Sequence, residues 1–223
     1  MVQKTGKPAA SAKSASVTSE AAAPKRRGRP RAYEPETALG QALDLFRKDG
    51  FAATSLDDLS AATGMNRPSL YGAFGDKREL FVKSYQRYRT DARAAMSQVF
   101  KDDLPIRERL ERIFAVALDN YLSGAAGPRG CFTVMTAASE AVADPEIRAM
   151  VLEGFFETDK LFAACFKRAR EKGELASTVD LQILAQLASA TLHSVAVRAR
   201  AQTPRKQLEA IVNGAIDMML GAS

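Results

Sequence analysis

Residues 56–80 read LDDLSAATGMNRPSLYGAFGDKREL, and this stretch decides the fold. Leu56, Leu59 and Thr63 share one face of a short helix, with Ala62 beside them. Ser55 followed by Asp58 is a capping-box pattern for its start. Gly64 supplies the left-handed conformation that a sharp turn between helices needs. Met65 fills the elbow. Asn66 is a good N-cap for a second helix, and Pro68 is tolerated there because first-turn amides have no intrahelical partner. Leu70 and Phe74, four apart, give that helix its buried face. Arg67, Ser69, Tyr71 and Gly72 are left on its outer side or near its start. The pattern is a helix-turn-helix whose second helix has the form of a major-groove reader.

The run from Leu56 through Gly64 and Pro68-Ser69-Leu70-Tyr71 to Phe74, followed by Lys77 and Leu80, resembles the DNA-binding domain of tetracycline-repressor (TetR) family regulators. The resemblance covers residues from Ala38 to about Phe81. It implies an all-α chain of about nine helices. An N-terminal three-helix DNA-binding domain would be followed by a helical domain that binds a small molecule and dimerises through the last two helices. It also places Arg67, Pro68, Ser69, Tyr71, Gly72 and Lys77 at DNA-contacting positions. One position departs: Ala73 stands where many members carry His, so that phosphate contact is not carried over. Arg67 has the chemistry to take guanine O6 and N7, or else a phosphate. Pro68 suits a thymine methyl, and Gly72 brings backbone close. Tyr71 and Lys77 suit phosphate, as do Thr54 and Ser55 at the second helix start.

Outward from this stretch, Glu34 to Lys48 carries Leu39, Leu43 and Phe46 on one face, with Gly50 as the stop. Beyond it, Asp76 and Glu79 predict the cap of a long helix over about Lys77 to Lys101, extending about 37 Å. That length makes it the mechanical link between two domains. Pro105 starts another helix, and residues 124–130 form a loop. Cys131 to Val142 reads as one shorter helix. Asp144-Pro145-Glu146 opens a long helix that ends at Lys172-Gly173. Asp180 and Thr203-Pro204 open the last two. Their apolar faces, including Leu192 and Ile216, are the expected dimer contact, closing a four-helix interface between subunits. The predicted divisions are an arm over 1–32, a DNA-binding domain over 33–81 and a ligand-binding and dimerisation domain over 82–223.

Charge is unevenly placed. Eight Lys and Arg residues against one acid, Glu20, fall within residues 1–31, giving the arm +7 and the remainder −1 of a net +6. Such an arm suits a polyanion. Residues 1 to about 24, rich in Ala, Ser, Lys and Pro, have the composition of a disordered segment. Residues 25–31 read KRRGRPR. Arg26, Arg27, Arg29 and Arg31 around Gly28 and Pro30 resemble an AT-hook that lies in a narrow A·T minor groove, or else form a non-specific phosphate clamp.

Other classes are disfavoured. At 223 residues the chain accommodates one or two helical domains with a core. No apolar run is long enough to span a membrane, and the N-terminus lacks an apolar signal region, so a soluble cytoplasmic protein is expected. Two distant cysteines, Cys131 and Cys165, make neither a disulfide framework nor a zinc site. With one histidine and no nucleophile–base set, metal cluster or phosphate loop, no enzyme, metal or cofactor is expected.

In the C-terminal part, Tyr121, Cys131, Phe132, Met135, Phe155, Phe156, Phe162 and His193 are candidate lining for a small-molecule pocket. Cys131, at a helix start beside Arg129, has the setting of a reactive thiolate, or is a small buried apolar residue. The expected function is a ligand-released homodimeric repressor on a pseudo-palindromic duplex operator. The alternative is an architectural DNA-binding protein that uses the basic arm and has no effector.

Overall fold

Helix starts follow the capping residues. A computed structural model describes residues 34–124 and 127–221. The expectations for residues 1–32, including Arg26, Arg27, Arg29 and Arg31, lie outside the described residues. Among those described there are ten α-helices and no strand. They are α1 (Pro35–Ala53), α2 (Leu56–Thr63), α3 (Arg67–Phe74), α4 (Lys77–Lys101), α5 (Ile106–Leu122), α6 (Phe132–Ala138), α7 (Glu140–Ala143), α8 (Pro145–Glu171), α9 (Leu181–Arg200) and α10 (Arg205–Leu220).

Ser55 and Asp58 form a reciprocal box: the Asp58 amide donates to Ser55 Oγ at 3.1 Å and the Ser55 amide to the Asp58 carboxylate at 2.8 Å. Asp76 and Glu79 repeat the arrangement at the start of α4. Asn66, Asp144 and Asp180 cap α3, α8 and α9 through their side-chain oxygens. Each satisfies amides that would otherwise be orphaned. Gly64 is left-handed, with φ 65°, as the turn requires. Gly75 has φ 84°, and a Cβ there would lie 1.5 Å from Glu79 Oε2, so glycine and the second capping box go together.

As expected, Gly50 (φ 82°) stops the main run of α1, and one further turn follows to Ala53. One expectation needs correction. The stretch Cys131 to Val142 is two helices rather than one, which brings the described residues to ten helices where about nine were expected. Ser139 leaves helical geometry (φ −124°, ψ −86°), its hydroxyl donating to the Met135 carbonyl at 2.9 Å.

Leu43, Phe46, Leu59, Leu70, Phe74, Leu80 and Phe81 close the core where α1–α3 meet α4. An aromatic chain continues from there into the rest of the molecule. Phe81 meets Phe46, Phe51 and Phe132 edge-on at 5.2–5.4 Å between ring centroids, and Phe132 meets Tyr85 and Tyr88 at 5.7 Å. T-shaped pairs of this kind add to the gain from burial. α8 and α9 lie side by side, and α5 packs on both α9 and α10.

Candidate nucleic-acid interface and ligand cavity

The outer side of α3 presents Arg67, Pro68, Tyr71 and Gly72 to solvent, with Tyr71 47% exposed. Ser69 is half-buried, and its amide donates to Asn66 Oδ1 at 2.9 Å. Arg67 is not idle. Its Nη2 lies 2.7 Å from both carboxylate oxygens of Asp57, and its Nε donates to Oδ1 at 3.0 Å. This exposed fork holds the guanidinium across the α2–α3 elbow, and its hydrogen bonds and charge raise the Arg67 pKa. The sequence analysis did not foresee this pair, because Asp57 and Arg67 are ten residues apart and only the turn brings them together.

Ser55 is exposed at the start of α2. Thr54 is not: its side chain is buried and its hydroxyl donates to the Gly50 carbonyl at 2.6 Å. The expected phosphate contact by the Thr54 side chain is therefore corrected, since the interruption at Gly50 creates an acceptor that claims the hydroxyl. Lys77 is half-buried, with its ammonium 4.3 Å over the Phe51 ring. Burial lowers its pKa, a shift that nearby Glu140 opposes.

Behind this head, α1, α4, α5, α6, α8 and α9 line a cavity of about 400 Å³. Ligand sites commonly measure about 300–1,000 Å³. Four of the expected lining residues reach it: Tyr121, Cys131, Phe155 and His193. Four do not. Phe132 is consumed by the aromatic chain. Met135 lies half-buried elsewhere on α6. Phe156 points outward, 62% exposed. Phe162 is fully buried against Phe100 and Phe114. Helical periodicity identifies a face but not which layer of that face neighbouring side chains fill.

The cavity wall is mostly apolar, with Leu43, Met96, Val116, Leu161 and Leu192, and carries a few convergent polar groups. Tyr88 donates to Cys131 Sγ at 3.4 Å. Burial raises the pKa values of Tyr88 and Tyr121 well above the ordinary phenol range, so both remain protonated donors. Burial lowers that of His193, whose ring lies 4.8 Å from Phe155. Arg47 also lines the cavity, which the sequence reading missed. The available signal was its place four residues after Leu43, on the apolar face of α1.

Arg200 and Arg78 are among the ties between head and body. Arg200, ending α9, donates to the carbonyls of Arg47 and Lys48 at 2.9 Å and of Arg129 at 3.3 Å, thereby capping the main run of α1 before Gly50. Arg78, on the first turn of α4, grips Asp144 at 2.5 and 3.0 Å and Glu146 at 2.7 Å at the start of α8. That grip, followed by the Ile147 amide, holds the Asp144 carboxyl down at about 2.

An all-helical chain with an exposed helix-turn-helix and a separate apolar cavity is the architecture of a one-component DNA-binding regulator. Residues 38–83 match the family described as bacterial regulatory proteins, tetR family, and residues 107–215 match the tetracyclin repressor-like C-terminal domain. The chain is 29% identical over 178 residues to the HTH-type transcriptional repressor ComR of Escherichia coli K12, covering 79% of this chain and 84% of ComR. It is 33% identical over 126 residues to the repressor BdcR of the same organism, covering 56% of this chain and 62% of BdcR. A cysteine-substituted form of the TetR-family regulator CifR, solved with a 26-base-pair operator duplex, superposes with TM-score 0.76 at 30% identity, over 85% of this chain and 98% of that one. The chain belongs to the TetR family. It is a DNA-binding transcriptional regulator, not an enzyme, and no helix among the described residues is long and apolar enough to cross a membrane.

Proposed function

We propose that this protein is a ligand-responsive repressor that binds a pseudo-palindromic operator as a homodimer and releases it when a small molecule enters the cavity. The division is an arm over 1–32, a reading head over 33–81 and a sensing and dimerising body over 82–223, working in the cytoplasm. The observation that carries this reading is the cavity itself: α1 of the head contributes Leu43 and Arg47 to its wall, so an occupant touches head and body together. Such an occupant shifts the population only by its differential affinity for the two arrangements. Moving it from mostly bound to mostly released needs up to about 5.5 kcal/mol.

The dimer reading is supported by an apolar face left open on the last two helices. Ile183, Leu187 and Val197 on α9 and Met218 on α10 are exposed, Met218 at 88%. Paired across a two-fold axis, such faces close a four-helix interface and set two recognition helices about 34–36 Å apart, one turn of B-DNA. Leu192 and Ile216, the expected interface positions, are instead buried within the subunit.

The test is selection of bound fragments from the source genome, then footprinting of the selected operator with and without metabolite fractions. Protection of two half-sites about ten base pairs apart, abolished by one fraction, is the expected outcome. Protection indifferent to every fraction would refute the effector, and uniform protection of random DNA would refute the operator.

A further inference from the structure

The cavity contains a charge that it does not neutralise. Arg89 is bound by Glu153 and Glu157 at 2.8 and 2.9 Å, Arg93 by Glu157, and Asp91 by Arg87 at 3.5 Å. The carboxylates on the wall are thereby spent. Arg47 is 7% exposed and has no carboxylate within 4.0 Å among the described residues. Its neighbour Asp44 is taken by Arg129 at 2.5 Å. One Arg47 nitrogen, Nη2, donates to the Gly130 carbonyl at 3.3 Å, while Nε is buried with no partner. The Tyr88 ring, 5.1 Å from the guanidinium carbon, supplies a cation–π contact. Guanidinium stays charged in proteins, and a buried cation without a counter-ion is costly.

We infer that the effector is an organic anion, a monocarboxylate with an aryl or alkyl body, whose carboxylate pairs with Arg47 while the body lies along Leu43, Met96, Phe155 and Leu192. This assignment rests on reading the cavity as the effector site. A carboxylate supplies the counter-charge that the Arg47 guanidinium lacks and an acceptor for the protonated phenol of Tyr121 on the same wall. A neutral ligand leaves the charge uncompensated, and a cation adds to it. The site also explains how binding would reach DNA. Arg47 stands at the end of the main α1 run, whose last carbonyls Arg200 holds, and its side chain ties α1 to Gly130. An anion that draws the guanidinium into the cavity competes with that tie.

Calorimetric titration of the full chain with 2-naphthoate and decanoate, each beside its primary amide, tests the assignment. At least one acid should bind tenfold or more tighter than its amide, and the ring resonances of His193, the chain's one histidine, should shift on binding. Arg47→Lys should keep a reduced acid preference, and Arg47→Met should abolish it. Equal binding of acid and amide, an acid preference that survives Arg47→Met, or no binding by either acid would overturn the inference. Operator release followed in the same titrations separates the two readings. An acid held through Arg47 that leaves the operator bound refutes release but not the anion. Release driven by the amide alone refutes the anion but not release.

Discussion

Arg67 faces a choice between two partners. In the free protein its fork is closed on Asp57, with both side chains mostly exposed. An exposed pair of this kind is weakly held and screened by salt. A guanine edge or phosphate is therefore able to take the guanidinium over, and Asp57 then stands as an unpaired carboxylate beside the duplex. Arg67→Ala is expected to weaken operator binding about 5- to 150-fold and to relax preference at one base per half-site. A loss equal on operator and random DNA would assign Arg67 to a phosphate instead. Asp57→Asn is expected to act in the opposite sense, tightening binding to random DNA and narrowing the operator-to-random ratio. Titrations on both duplexes at one salt concentration measure each effect. Tyr71 and Ser55 are both exposed, whereas Thr54 has turned inward.

Among the helices, α4 carries the linkage. Its first turn is held to α8 by Arg78, its middle lines the cavity through Tyr88, Arg89, Ala92 and Met96, and its last turns are buried through Val99 and Phe100. The Arg78–Asp144 contact has a pH signature. The folded Asp144 carboxyl titrates at about 2, below its unfolded value near 3.9, so its contribution is complete above about pH 4 and is lost as pH falls toward 2. Asp144→Asn should therefore be less stable than the parent at pH 6, with the deficit shrinking between pH 4 and pH 2. Urea unfolding at a series of pH values reads this directly, and a pH-independent deficit would show that only the α8 cap matters. The outer faces of α9 and α10 carry a second expectation. Leu187→Glu with Val197→Glu should give folded monomers that bind a full operator poorly, seen by sedimentation at micromolar concentration. A dimer that survives both changes would place the interface elsewhere. Charges at Leu192 or Ile216 would instead unfold the subunit, since both are core positions.

For the molecule as a whole, charge is divided between a +7 arm and a nearly neutral remainder. Residues 25–31 carry five cations and precede the helix-turn-helix in the chain. Each phosphate they neutralise contributes about −0.9 to the slope of log affinity against log salt. Deleting residues 1–31 is expected to leave the remainder folded, to weaken binding and to make that slope shallower. If the arm enters the minor groove, the loss is larger on A·T-rich flanks, where a narrow groove concentrates negative potential. Titrations of full-length and truncated protein on A·T-rich and G·C-rich flanks measure both effects. Identical affinities and slopes would mean that the arm does not touch DNA.

The caps at Ser55, Asn66, Asp76, Asp144 and Asp180 and the left-handed Gly64 were legible residue by residue. A cap or a tight turn is settled within four or five neighbouring positions, and those positions are adjacent in the chain. The helix-turn-helix was legible for the same reason, and α4 was placed to the residue at both ends. The open part of the site was not. Phe132, Phe155, Phe156 and Phe162 are the same residue type on apolar helices, yet one joins head to body, one lines the cavity, one faces outward and one is core. Their fates depend on which rings arrive from α1, α4 and α5. Arg47 and Asp57 gained their roles in the same way. Arg47 lost any counter-ion when Arg129 took Asp44, and Asp57 met Arg67 only across the turned elbow. Local hydrogen bonding writes itself into neighbouring residues, whereas a void and an unpaired charge are what remains after distant side chains have been placed.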